Sequence, residues 1–263
     1  MKRHPLLTPK WIVSHVLMAG AIGLAIWAGF WQLDRLDQRK DRNAQIEARQ
    51  AEPEVGISEL VSAGDLYSVA DAVRYRNVRA AGRYQLDDEV LVRNRSLEGS
   101  AGFWVLTPLL FGDGSAVVVN RGWVPFSMGP GQPRGDATAP VGSVEVSGVV
   151  EETVTAGRFQ VSDSAAGRLD SLARVDLARY ADQLDYPILP VYIRLVDQVP
   201  AQGSGLPARL PEPDLGEGPH LSYAVQWFSF ALIGAVGYPL ILRPLATRAS
   251  RKKRPSQVPV DYL

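Results

Sequence analysis

The chain contains no cysteine. Disulfides, thiolate zinc sites, thiol catalysis and thiol-mediated copper transfer are excluded with it, so an exported part must be held together by ordinary packing. Histidine is nearly as scarce. His4, His15 and His220 are the only three, and none falls within residues 34–219. A Ser-His-Asp set is therefore impossible in the middle of the chain. Phosphate-cradling glycine loops are missing, as are the basic patches of a nucleic-acid binder, so no nucleic-acid partner is expected. Carboxylates abound, but no spacing separates a catalytic pair from a solvated face, and no enzyme is expected.

Charge is also missing from two long stretches. Residues 11–33 and 221–242 hold no lysine, arginine, aspartate or glutamate. At about 1.5 Å of helix rise per residue, each run covers the roughly 30 Å hydrocarbon core of a bilayer. The formal net charge is zero, yet residues 34–220 carry 19 Lys+Arg against 27 Asp+Glu, while the ends carry 9 against 1. Basic residues near span ends favour the cytoplasm. Lys2, Arg3 and Lys10 before the first span compete with Arg35, Arg39, Lys40 and Arg42 after it. The tail Arg243, Arg248, Arg251, Lys252, Lys253 and Arg254 decides the orientation, outweighing Arg209 before the second span. The expected layout is a cytoplasmic N-terminus (1–10), a first transmembrane helix (11–33), an extracytoplasmic domain with tethers (34–220), a second transmembrane helix (221–242) and a basic cytoplasmic tail (243–263).

The first apolar run exceeds the usual core of a signal peptide, and "WQLDRLDQRK" offers no small-x-small cleavage site, so the segment reads as an uncleaved anchor. Ten residues before it leave no room for an arginine-rich transit peptide, which favours a bacterial plasma membrane.

Residues 34–50 carry charges at helical spacing and read as the first helix continuing out of the membrane. From Val73 onward, "RYRNVRAAGRYQ", "EVLVRNR", "FWVLTPLLF", "SAVVVNRGWV" and "SVEVSGVV" read as strands punctuated by turns. Gly112, Asp113 and Gly114 between two apolar runs signal a hairpin, and residues 125–142 form a Pro/Gly-rich loop. A helix is expected over 170–184, with Asp170 as N-cap and Leu172, Val175, Leu177, Tyr180 and Leu184 near one face. "PVYIRLVD" reads as a last strand and residues 198–219 as an extended tether. The expected fold is two transmembrane helices flanking an α+β, mainly antiparallel-sheet extracytoplasmic domain.

His15 and His220 fall at opposite ends of the two spans, roughly 25 Å apart by helix rise, so they cannot share one ion or one haem within a monomer. His220 opens "PHLSYAVQW", where Tyr223, Ala224, Trp227 and Phe228 follow at three- and four-residue spacings. "GFWQLDR" brings Trp31, Gln32 and Arg35 to the same depth. A neutral imidazole suits haem iron, an arginine suits a propionate and aromatic rings suit a porphyrin face. The same residues equally suit interfacial anchoring, since Trp and Tyr crowd membrane boundaries. Gln226 suggests a hydrogen bond across helices, and Ala21, Ala25 and Gly29 a small-residue contact stripe. In "NRGWVP", Asn120, Arg121, Gly122 and Trp123 read either as a partner-binding edge with Arg121 as anion anchor, or as a β-turn with a half-buried tryptophan.

Taken in order, "GFWQLDR", "GRYQ", "GFWVLTPL", "VNRGWVP" and "PHLSYAVQWF" resemble the surfeit-locus family of cytochrome c oxidase assembly factors over nearly the whole chain. That resemblance implies maturation of the haem a-containing subunit 1 of an aa3-type terminal oxidase, alongside the haem a biosynthesis machinery, by presenting haem a rather than catalysing a reaction. It maps the favoured haem iron contact onto His220, with Trp31, Gln32, Arg35, Tyr223 and Trp227 as neighbours. The chain departs from many relatives at Pro219 and Gln226, where they carry asparagine and threonine. A haem-independent scaffold for an oxidase intermediate is the alternative reading.

Overall fold

The structure is a computed structural model. It describes residues 6, 8–64, 69–131, 135–155, 157, 162–203 and 205–251, without the side chains of residues 136 and 245–251. Lys2, Arg3, His4 and Lys252, Lys253 and Arg254 of the basic tail lie outside the described residues.

In chain order the elements are α1 (Pro9–Gln50), β1 (Val55–Gly56), α2 (Ile57–Leu60), α3 (Val69–Val73), β2 (Asn77–Tyr84), β3 (Val90–Leu97), β4 (Ser100–Leu110), β5 (Ala116–Pro125), β6 (Ser143–Glu152), β7 (Ser171–Leu172), α4 (Leu177–Ala181), β8 (Ile188–Val199) and α5 (His220–Arg251). The chain divides into two compact units, Met1–Ala44 with Asp214–Leu263, and Gln45–Pro213.

The second unit is built on one eight-stranded sheet in the order β1-β2-β6-β8-β5-β4-β3-β7. β2 also pairs with β4, through Arg83 opposite Leu110 and Tyr84 opposite Leu109, so five strands close into a ring. The sheet is mixed, which corrects the mainly antiparallel expectation: β1·β2, β3·β7 and β5·β8 run parallel. Parallel partners need a crossover, and here the connections are long. β5 reaches β8 only after β6, β7 and α4.

The apolar run of β5 leaves Ala116 through Val124 buried on both faces, as befits a central strand. Val117 and Val119 join Val78, Leu109, Val146 and Ile193 in a cluster drawn from all five ring strands, which also receives Ile57 of α2 and Ala70 of α3. Ala116 and Val118 face the other way. They pack with Val92, Leu106, Leu172, Leu177, Tyr180 and Tyr192 beneath β3 and α4. The hairpin between β4 and β5 is closed where expected. Phe111 N donates to Ser115 O at 2.8 Å, and Gly114 takes φ +85°, a conformation glycine adopts without strain. Asp113 Oδ1 accepts from Ser115 N and Oγ, which holds its carboxyl below the usual range.

The helix expected over 170–184 is shorter. Ser171–Leu172 is strand, paired with β3, and the helix starts only after Asp176, whose carboxylate caps Arg179 N at 3.1 Å. Leu172, Val175, Leu177 and Tyr180 are all buried. The apolar spacing foretold the burial but not the extended first half, where the Asp170 carbonyl accepts from Leu91 N of β3 at 3.0 Å.

The first unit holds α1 as far as Ala44 and α5. Residues 34–50 do continue the first helix without a break. Pro9–Gln50 and His220–Pro244 are long and apolar enough to cross a membrane. Small residues lie where the helices meet: Ala25, Ala28, Ala224 and Ala231 are buried. A Cβ on Gly29 would stand 2.6 Å from the Phe228 ring. Ala21, the third member of the expected stripe, is exposed. So is Gln226, which therefore sits on the helix exterior rather than bonding across the pair.

Candidate functional site

His220 is the first residue of α5. Pro219 precedes the helix, and its carbonyl accepts from Tyr223 N at 3.1 Å and from Ser222 Oγ at 2.7 Å. A residue at that position needs no amide hydrogen for the helix, so proline there leaves the turn intact. The His220 Nδ1–H group donates to Gln32 Oε1 of α1 at 2.9 Å. In the neutral ring this fixes the tautomer and leaves the lone pair on Nε2, the arrangement by which an outer partner orients an imidazole ligand.

Of the other expected residues, only Gln32 reaches His220. Arg35 turns along its own helix, donating to Gln38 Oε1 at 2.9 Å with its guanidinium 5.5 Å from the Trp31 ring. Trp31 is 42% and Tyr223 47% exposed, so both rings keep open faces. Trp227 is half-buried and meets Phe230 edge-on, while Phe228 meets Phe30 edge-on. Ala224, by contrast, is buried. One helical face in the sequence is thus divided between helix contact and open surface.

His15 makes the useful contrast. Its Nε2–H donates to Leu6 O at 3.2 Å and its Nδ1 accepts from the Tyr238 hydroxyl at 2.8 Å. Both ring nitrogens are engaged, as befits a residue that ties elements together.

Asn120, Arg121, Gly122 and Trp123 lie inside β5, not in a turn, and all four are buried. This corrects the turn reading, and it places the four side chains inside the sheet rather than along an exposed edge. The register jumps at this point: Val105 faces Gly122 and Leu106 faces Asn120, so Arg121 is the extra residue of a β-bulge. Asn120 Oδ1 accepts from Gly122 N at 3.2 Å and braces the bulge. Gly122 takes φ +129° and a Cβ would meet Ala208 O at 2.3 Å, so only glycine fits. Trp123 and Ala208 exchange both backbone hydrogen bonds.

Arg121 does anchor a carboxylate, but an internal one. It donates to Glu89 Oε2 at 2.9 Å, Gln202 Oε1 at 2.7 Å and Ala137 O at 2.8 Å. Thr107 Oγ1 adds a bond to Glu89 at 2.6 Å. Tyr84 lies beside this cluster and donates to Gln198 Oε1 at 3.0 Å; burial raises its hydroxyl above the usual range, with Arg121 opposing. Sequence reasoning missed Glu89 as the partner. The available signal was a carboxylate directly before the apolar run of β3, matched by the one arginine inside β5.

Among the described residues no cluster of three His, Asp or Glu side chains is placed to hold a metal ion. The chain's similarities agree with its motifs. The family model described as SURF1 family matches residues 19–232. An uncharacterized SURF1-like protein of Mycobacterium tuberculosis is 28% identical over 264 residues, covering 97% of this chain and 92% of that protein. A SURF1-like protein of Monosiga brevicollis is 25% identical over 238 residues, 86% and 87% of the two chains. One from Dictyostelium discoideum is 28% identical over 103 residues, 38% of each. A match that runs from within the first apolar helix to within the last, across the whole sheet unit, places this chain in the SURF1 family.

Proposed function

We propose that this protein is a membrane-anchored assembly factor for an aa3-type cytochrome c oxidase. In this reading it holds haem a at His220 and assists its delivery to subunit 1, working beside the haem a biosynthesis machinery. Both termini are cytoplasmic and the sheet unit is extracytoplasmic, in a bacterial plasma membrane. The role is holding and handing over, not catalysis. Family membership and two helices suited to a bilayer support the setting.

One observation carries the haem assignment: Gln32 Oε1 accepts from the Nδ1–H of His220, so the lone pair is left on Nε2, where it could hold an iron. Haem a, when bound, would supply an iron, and the neutral imidazole of His220 would hold it. The open faces of Trp31 and Tyr223 suit the macrocycle. Arg35 suits a propionate, and its exposed bond to Gln38 is a cheap one to exchange. Gln32 is a positioning residue in this scheme.

The test is to purify wild type, His220→Ala and Gln32→Leu from membranes of a haem a-producing host and quantify haem as the pyridine haemochrome. Near-stoichiometric haem a in the wild type, loss in His220→Ala and partial occupancy with an altered Soret band in Gln32→Leu are expected. Absence of haem from the wild type, with oxidase subunits still co-purifying, would replace this reading with a haem-independent scaffold.

A further inference from the structure

Just before His220 the chain runs along α1 and is fastened to it residue by residue. Arg39 donates through Nε to Gly216 O at 2.9 Å, and through Nη2 to Asp214 O at 3.0 Å and Asp214 Oδ2 at 3.1 Å. Asn43 Nδ2 donates to Leu215 O, and Lys40 Nζ stands 3.6 Å from Glu217 Oε1. Asp214 Oδ1 closes the segment's own turn by accepting from Gly216 N at 2.8 Å. From Gln32 to Arg39 and on to Asn43 the steps are close to whole helical turns, so the three share one face of α1. That face holds the His220 ring through Nδ1 and the strap 214–217 through its carbonyls.

Gly218 joins the strap to α5 and passes beside the ring it delivers. It takes φ +72° and is exposed. A Cβ there would meet His220 Cδ2 at 3.5 Å and Nε2 at 3.6 Å, and, apart from its chain neighbours, no other atom within 4 Å. Those two atoms form the side of the imidazole away from Nδ1. The space beside Nε2 is therefore bounded by residue 218, and glycine puts no side chain into it. The fastening itself is a light one. The Arg39–Asp214 pair has side chains 27% and 84% exposed, and such pairs contribute little, so the strap is suited to moving aside while the bond to Gln32 stays.

We infer that residues 214–218 are a clamped strap that sets access to Nε2 of His220. Gly218 leaves the nitrogen reachable, and Arg39 and Asn43 are positioning residues that hold the strap against the ring. The inference deepens the reading of His220 as the ligand-holding residue and rests on it.

The test reads the ring nitrogen directly. Full-length protein in detergent, from a host that makes no haem a and free of Soret absorbance, is treated with diethyl pyrocarbonate, which acylates an unprotonated imidazole nitrogen. Acylation of His220 is timed by mass spectrometry of its peptide. Relative to wild type it should slow severalfold in Gly218→Ala and at least tenfold in Gly218→Leu. Both variants carry the same positive-φ strain, so the gradation reads side-chain bulk. Adding Arg39→Gln to Gly218→Leu should restore most of the rate, because an unfastened strap carries its side chain off the ring. Equal rates in wild type and Gly218→Leu overturn the proposal, as does a slowing that Arg39→Gln leaves untouched. If Gly218→Leu fails to fold, Gly218→Ala with and without Arg39→Gln decides. Titration with hemin separates this inference from the haem assignment. No binding by the wild type counts against that assignment, while the acylation rates still decide the strap. Equal hemin affinity in wild type and Gly218→Leu overturns the strap and leaves the assignment standing.

Discussion

The two units bury opposite things. In the sheet unit Val, Leu and Ile sit at or near zero exposure, and a buried arginine is matched by a buried carboxylate. In the helical unit the buried contact between the two apolar spans is alanine and glycine, while Leu17, Leu232 and Ile233 are each about two-thirds exposed. Water drives large apolar groups inward, and the sheet unit is ordered by that force. Between apolar helices in an apolar solvent the force vanishes, leaving close backbone approach and a few polar bonds. The helical unit uses both: Gly29 against Phe228, and His220 to Gln32 with Tyr238 to His15. The composition of each interior is thus the one expected for a sheet unit in water and for helices long and apolar enough to cross a membrane.

The contrast is open to attack, beginning where the effect is largest. Arg121→Ala strands Glu89 without its cation. Loss of one partner of a buried pair costs about 3–5 kcal/mol, so the β signal in circular dichroism should melt far earlier while the helical signal persists. Next, Leu109→Ala in the ring interior should cost about 2–5 kcal/mol. Leu17→Ala, of the same chemistry but on the exposed helix exterior, should change stability by no more than about 0.5 kcal/mol. Equal effects from the two leucines would erase the distinction between the units.

Gly29→Ala tests the helix contact. Its methyl must displace the Phe228 ring, an overpacking worth about 1–3 kcal/mol. Adding Phe228→Ala should recover most of that loss in thermal unfolding of the helical signal, because the two positions are coupled. The smallest effect concerns Glu151. Its carboxyl is raised in the folded state, chiefly by burial, so ionisation works against folding. The wild type should lose stability relative to Glu151→Gln as pH rises from the ordinary value of 4.5, and the difference should level off above the raised value. A gap that does not change with pH would show that Arg194 fully offsets the burial.

Much of this molecule is legible in its sequence because the signals are local. The charge-free runs, the continued first helix, the Gly112–Gly114 turn and the strand runs all follow from neighbours along the chain. Parallel pairing does not: nothing in "SAVVVNRGWV" says that "PVYIRLVD" will lie beside it. The bulge at Arg121 was equally hidden, since Asn-Arg-Gly reads as a turn until β4 supplies the register. The site was legible in its members but not in its contacts. His220 and Gln32 meet, whereas Arg35 and Tyr223 face elsewhere.

The bond between His220 and Gln32 has one more implication, because its two ends belong to different helices. The address of a single proton, on Nδ1 and not on Nε2, is written by the spacing of α1 and α5. Any event that widens that spacing by the width of a water molecule erases the address, and the ring then divides its time between tautomers. Imidazole ¹⁵N chemical shifts distinguish the two forms, so the resonance of one side chain would serve as a gauge of how closely the helices are clasped.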